Sequence, residues 1–271
     1  MKTSRKYTRE LKQQFGYFAT WLPGTPLKLG DIGVIKKNTF RRLANISDLR
    51  IPFEIIADTT PVDIEYNSEK GVSVTVKAAG SLPLQGSSLR EEDAGITVEF
   101  SKKNAILFKA NGVTNPSIKN QVEVGDKILN LYKKGKWNKD WVVITELAHA
   151  KSGTVLISSS SKGKIEIKAN AEVQGTNIDI ANSDLNFDII FHKDVSTRIV
   201  AQEALTPLFK ASQVKTSWFG PDEFKNARLS SLVPISERVT PMDLMTPEKA
   251  SQLKEELYFG EADLDQYNEE N

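Results

Sequence analysis

The sequence predicts an α+β protein: a twisted, mainly antiparallel β-sheet with flanking helices and a short C-terminal helical tail. Two observations carry this. Apolar and polar residues alternate in four separated segments, roughly 71–79, 95–101, 164–174 and 184–191. A period of two marks strands with one apolar and one polar face. Helical spacing or helix punctuation marks the stretches near 2–15, 120–134 and 247–259.

Taken in order, residues 2–15 hold Lys2, Arg5, Lys6, Arg9 and Lys12 against Glu10, with Tyr7, Leu11 and Phe15 on one helical stripe. A basic amphipathic helix of this kind is either a surface helix with one face packed on the body or a helix that lies on anionic lipid. Residues 16–23 read as a short buried strand closed by a Pro23-Gly24 turn. Gly30 to Gly33 is a second turn, without the spacing of a phosphate-binding loop. Strands are expected over 32–36 and 53–57. Alternation then runs through Val62, Ile64 and Tyr66, and again through Val72, Val74, Val76 and Ala78. Residues 80–94 form a polar connection. Ile96, Val98 and Phe100 alternate before a continuous apolar run, 105–108, that reads as buried on both faces.

Val124, Ile128, Leu131 and Tyr132 share a helical face, with Lys133, Lys134 and Lys136 at its C-terminal end, where cations suit the dipole. Residues 141–150 form a strand, broken at Lys151-Ser152-Gly153 before a second strand at 154–157. The cleanest alternation follows. Ile165, Ile167, Ala169, Ala171 and Val173 face one way; Lys164, Glu166, Lys168, Asn170, Glu172 and Gln174 face the other. Its eleven residues match the roughly 9–11 of a tilted membrane-spanning strand, and the run equally reads as an edge or surface strand of a soluble antiparallel sheet. Leu185, Phe187, Ile189 and Phe191 alternate again. Residues 1–212 read as one domain and 213–246 as irregular linker. Residues 247–271 are an acidic tail, whose helix is capped by Thr246-Pro247, ends at Gly260 and carries Ala250, Leu253 and Leu257 as its apolar stripe.

Composition narrows the function. The 271 residues contain no cysteine, which excludes disulfides, zinc-thiolate sites, thiol catalysis and cysteine acylation. The basic N-terminus has no apolar core behind it, so the cytoplasm is the expected starting compartment. Net charge is +1, but residues 243–271 carry −7 and leave the rest near +8. A basic body with an acidic tail suits a tail that lies on the body, a body that meets an anionic surface, or a tail that is simply solvated and partly disordered. His149 and His192 lie in strand-like runs without convergent partners, so no catalytic, metal or cofactor site is expected and the protein does not read as an enzyme. Lys136-Trp137 and Lys215 to Trp218 form no nucleic-acid-binding module, and no nucleic-acid partner is expected.

The order and texture of these elements resemble the bacterial branch of the gasdermin family. An N-terminal helix leads into Gly16-Tyr17 and Leu22-Pro23. An alternating strand ends in Val98-Glu99-Phe100, and Ile106-Leu107-Phe108 follows. A helix at 120–134 precedes Trp141 to Leu147, and alternating strands surround 155–173. Leu205-Thr206-Pro207-Leu208-Phe209 closes the resemblance, which spans 10–212. The chain departs from that family in having no cysteine for lipid attachment and a polar 80–94 segment.

The resemblance implies a latent pore-forming effector of bacterial cell death or antiphage defence. C-terminal residues hold it inactive, a protease removes them, and the freed subunits extend β-hairpins into an oligomeric membrane pore. It would be cytoplasmic while inactive and membrane-bound once activated, with anionic lipid, further copies of itself and an activating protease as partners. In this reading Lys2, Arg5, Lys6, Arg9 and Lys12 contact lipid. Ile165, Ile167, Ala169, Ala171 and Val173 form a membrane-facing strand, Val72, Val74 and Val76 a second, and Ala250, Leu253 and Leu257 the inhibitory face of the tail. The alternative is a soluble β-rich binding or scaffold protein whose acidic tail docks a partner.

Overall fold

The structure is a computed structural model that describes residues 3–36, 39–171, 176–219 and 254–262. It is built on two long antiparallel hairpins that bend at the same level. In the first, strands β5 (Val62–Asn67) and β6 (Val72–Lys77) form one arm, and β7 (Ala94–Phe100) and β8 (Ile106–Val113) form the other. In the second, β10 (Val142–Ser158) and β11 (Gly163–Ala169) run out, and β12 (Phe187–Lys193) and β13 (Val195–Phe219) run back. Below the bend, β5 pairs β8, β8 pairs β10 and β10 pairs β13. Above it, the order is β6-β7-β11-β12.

The bend is written into the backbone. Lys70, Asn104 and Asp194 each interrupt an arm with a positive φ, at 49°, 58° and 52°. Outside glycine that conformation is uncommon, and asparagine and aspartate tolerate it best. The fourth arm turns through residues 159–162.

The lower sheet is ten-stranded. Strand β1 (Phe18–Ala19) and strand β14 (Lys254–Glu261) pair with β13. Strand β2 (Asp31–Lys36) joins β10 to β3 (Thr39–Asn45), and β9 (Ser117–Ile118) joins β10 to β4 (Ile55–Ile56). Two helices flank it. Helix α1 (Thr3–Phe15) buries Tyr7 and Leu11 completely against Phe108, Ala148 and Leu205. Burial of Leu11 contributes about 1.5–3 kcal/mol; the Tyr7 hydroxyl is buried without a hydrogen-bond partner among the described residues, which offsets part of its ring's contribution. Helix α2 (Gln121–Lys133) buries Val124 and Ile128 in the largest core, with Ile32, Val143, Ile144 and Phe209.

Several features differ from the sequence expectation. The eleven-residue strand expected over 164–174 ends at Ala169, after which Asn170 and Ala171 turn back to bond with Leu185 and Asn186. The break expected at Lys151-Ser152-Gly153 is absent: β10 crosses it, and register shifts against β13 between Ala148 and Ala150 and between Gly153 and Val155 absorb the irregularity. Strand β13 runs on to Phe219, into the stretch read as linker. Most tellingly, the C-terminal helix is not formed over 254–261, where the chain is β14. Lys254 to Glu261 pair residue by residue with Phe219 back to Ser212. Leu257 and Phe259 pack on the large core and Ala262 is buried. The open edge of β13 offers hydrogen bonds and an apolar surface that a two-sided acidic helix could not use.

Gly125 makes this docking possible. A Cβ built there would lie 3.0 Å from the Phe259 Cβ. Gly125→Val is therefore expected to lift β14 from α2. Hydrogen exchange should show faster amides over 254–261 while β8 and β10 keep their protection; unchanged exchange over 254–261 would place the clamp elsewhere.

Candidate functional site

The four alternating segments meet in one place, the upper four-stranded sheet. Register aligns their faces. Val74, Val98, Ile165 and His192 form one row, and Val76, Ile96, Ile167 and Ile189 another. Rows on the opposite face are Thr75, Thr97, Glu166 and Phe191, then Lys77, Gly95, Lys168 and Asp188. A register shift between Glu166 and Ile167 adds a residue to β12. It sends Phe187 and Ile189 to the apolar face but Phe191 to the polar one, because one extra residue inverts a period of two. The alternation expected from Leu185 to Phe191 is therefore broken at Ile190.

Both faces are covered at their centre, over β7 and β11, and open toward the outer strands β6 and β12. The apolar face is covered by residues 176–186, whose Ile178, Ile180 and Leu185 pack with Ile96, Val98, Ile165 and Ile167. Ile165 and Ile167 are fully buried and Ala169 nearly so. Ala171 is half-buried, and Val173 lies outside the described residues. In the second candidate strand, Val72 and Val76 are half-buried and Val74 is exposed.

The polar face is covered by the connection 78–93, held by buried charges. Lys77, 3 % exposed, donates from Nζ to the carbonyls of Ala78, Glu91 and Asp93 at 3.4, 3.0 and 2.9 Å. Glu166, 0 % exposed, pairs with Lys164 at 2.8 Å and accepts from the Ser88 amide at 2.7 Å. Asp93 pairs with Lys168 at 2.5 Å and accepts from the Arg90 amide at 2.8 Å. Leu89 is seated over Gly95, where a Cβ would come within 2.7 Å of it. The face expected to be wet is thus largely sealed. The sequence signal for this was weak: a lysine ending a strand, with polar residues after it.

The edges remain. Among the described residues, the outer sides of β6 and β12 pair with nothing. On β12, Ile189, Ile190 and Phe191 are 40 %, 38 % and 38 % exposed. His192 sits here as an acceptor from Arg198, and His149 is exposed on β10.

Helix α1 lies against the bend. Glu10 accepts from Tyr66 Oη at 3.0 Å and Ser68 Oγ at 2.6 Å, and Thr3 donates to Asn104 at 2.9 Å. Burial, then the Glu10 carboxylate, pushes the Tyr66 phenol up to about 12, so it stays a donor. Of the expected lipid contacts, Arg9 is exposed; Arg5, Lys6 and Lys12 are half-buried, and Lys6 pairs with Glu10 at 3.4 Å. Lys2 lies outside the described residues, as do Ala250 and Leu253 of the tail; Leu257 is half-buried on β14.

Below the bend, a cleft between α2, β10, β13 and β14 holds Thr145, Glu146, Lys210, Ser212 and Glu261. Tyr17 donates to Glu146, and Lys210 pairs with Glu146 at 3.5 Å. Burial, then the Glu146 carboxylate, pushes the Tyr17 phenol up. Among the described residues, no group of three or more His, Asp or Glu is placed to hold a metal. None of the described helices is long and apolar enough to cross a membrane, which says nothing of strands. No family model and no curated protein matches the chain.

The sealed polar face has a pH signature. Burial pushes the Glu166 carboxyl up, but the Lys164 ammonium and the Ser88 and Ser87 hydrogen bonds outweigh it and hold the group below its ordinary range. The Lys168 partner and the Arg90 amide do the same for Asp93. A depressed carboxyl stabilises the fold fully above its unfolded value and ceases to as pH falls through the folded one. Glu166→Gln keeps the shape and loses the charge. It is expected to be about 1–2 kcal/mol less stable at pH 7, and the gap should close below about pH 4. Chemical unfolding across that range checks this; a gap independent of pH would mean the Glu166 charge does not hold the connection.

Proposed function

We propose that the protein is a latent pore-former whose upper sheet supplies the membrane-inserting strands and whose C-terminal strand restrains it. The observation that supports this most is the gathering of all four alternating segments into one antiparallel sheet at the far end of two hairpins. Those strands have six or seven residues, short of the roughly 9–11 a membrane strand needs. The missing length is available in the connections 78–93 and 170–186, of which residues 78–93 and 176–186 are folded back over the sheet. The exposed edges of β6 and β12 then suit head-to-tail pairing of further copies, a geometry that closes rings. An anionic lipid surface meets α1, with Arg9 outermost, and a protease acts between β13 and β14.

Full burial of Ile165 and Ile167 favours the second reading, a scaffold whose strands pack conventionally. The two readings part on an experiment that keeps the whole chain, with a recognition sequence for a specific protease inserted within 220–253. Cutting is expected to start dye release from phosphatidylglycerol-containing vesicles, while uncut protein releases none. Phe259→Ala should speed release after cutting. If neither cut protein releases dye, the pore reading falls and the scaffold reading stands.

A second outcome concerns α1. Arg9→Glu is expected to weaken vesicle binding of the cut protein several-fold at low salt, following about 1 kcal/mol per basic residue near an anionic surface, and much less at high salt. Equal binding in low salt would remove the helix from lipid contact.

A further inference from the structure

Residues 176–186 do more than cover the upper sheet. Asn170 and Ala171 still hydrogen-bond back to Leu185 and Asn186 at the top of the hairpin. Residues 178–181, however, reach past the bend to the lower sheet. Asp179 accepts from Asn111 Nδ2 at 2.5 Å and pairs with Lys109 at 3.0 Å, both on β8. It also accepts from the Ala181 amide at 3.0 Å, which shapes the local turn. Thr154, fully buried on β10, donates to the Ile180 carbonyl at 2.6 Å. The same hydroxyl accepts from the amide of Ala201 on β13 at 2.9 Å. Ala201 has φ 48° and lies where β13 carries an extra residue opposite Gly153 and Val155. On either side of Asp179, Ile178 and Ile180 pack with Leu107 and Leu156 below the bend and with Ile165 and Ile167 above it.

We infer that residues 176–182 are a strap that ties the upper sheet to the lower one across the bend, with Asp179 as its anchor and Thr154 as its second fastening. While the strap is down, β11 and β12 cannot extend together into one long hairpin through residues 176–182, because Asp179 is bound to β8 and Ile180 to β10. The strap itself rests only on these contacts; its role as the brake on insertion rests on the pore reading. Thr154 gives it reach. By holding both Ile180 and the irregular Ala201, it makes the strap and the distortion of β13 depend on one another. Burial pushes the Asp179 carboxyl up, but the Ala181 amide, Asn111 and Lys109 outweigh it, as an anchor requires.

Two measurements test this separately. The first needs no membrane. In full-length protein, Asp179→Ala is expected to speed hydrogen exchange of amides in 163–169 and 187–193 at least ten-fold, with 142–150 unchanged. Asp179→Asn, which keeps the size of the side chain and lacks its charge on Lys109, should give a smaller rise in the same amides and serves if the alanine variant does not fold. Parental exchange in the folded variant would overturn the strap.

The second uses the absence of cysteine in the chain. Asn111→Cys with Asp179→Cys provides the only thiols, and a reducible bis-maleimide bridges them. In the protease-cleavable full-length protein, the bridged form is expected to release no dye after cutting, and reduction should restore release. Release by the bridged form at the unbridged rate would overturn the strap as a brake. If the cut parent releases no dye, the pore reading fails by itself and hydrogen exchange alone decides the strap.

Discussion

Ser158 joins the two hairpins at their common bend. Its hydroxyl donates to the Lys102 carbonyl and accepts from the Ala105 amide. Its own amide donates to Ala105, and its carbonyl accepts from Asn104. The residue is fully buried, so each of these groups would cost free energy if left unpaired. Ser68 repeats the device on the first hairpin, accepting from the Ile106 amide and donating to Glu10 of α1. Because the arms are locked at one level, the upper strands stay in register as a sheet instead of fraying as separate tips. Everything above the bend inherits that alignment.

The upper sheet then has an unusual balance. One face is an ordinary apolar core; the other is sealed over Lys77, Glu166 and Asp93. Buried ions stabilise weakly in net terms, since desolvation offsets attraction, yet breaking one partner is costly. Such a face is held less by depth of burial than by the pairing of its charged groups. The apolar side, with Ile165 and Ile167 at its centre, contributes most of the stabilisation. The polar side decides which arrangement of 78–93 is accepted.

Alternation made the four strands of this sheet legible, together with α2 and the apolar run at Ile106 to Phe108, because burial on one face imposes a period that local sequence records. What sequence left dark has physical causes. The extra residue at Ile190 inverts a face without altering composition. Lys77 and Glu166 look like solvated strand residues, and only a distant connection makes them buried. Asp179 and Thr154 meet partners far along the chain and carry no local pattern. The segment 254–261 has helical propensity and helix punctuation, but propensity amounts to tenths of a kcal/mol per residue, less than a vacant strand edge and a pocket for Phe259 contribute. The gathering of the four strands into one sheet was not itself readable, since register depends on the bend.

Strand β14 is joined to β13 only through residues 220–253, yet it is held by a full ladder and by Phe259. Severing that connection would not remove the strand; it would turn an intramolecular partner into a bound peptide. Before cutting, its effective concentration is fixed by the linker; afterwards it falls to that of the solution. The response to cutting would therefore be a dissociation with its own lifetime. Dilution would hasten commitment, and excess peptide would reverse it.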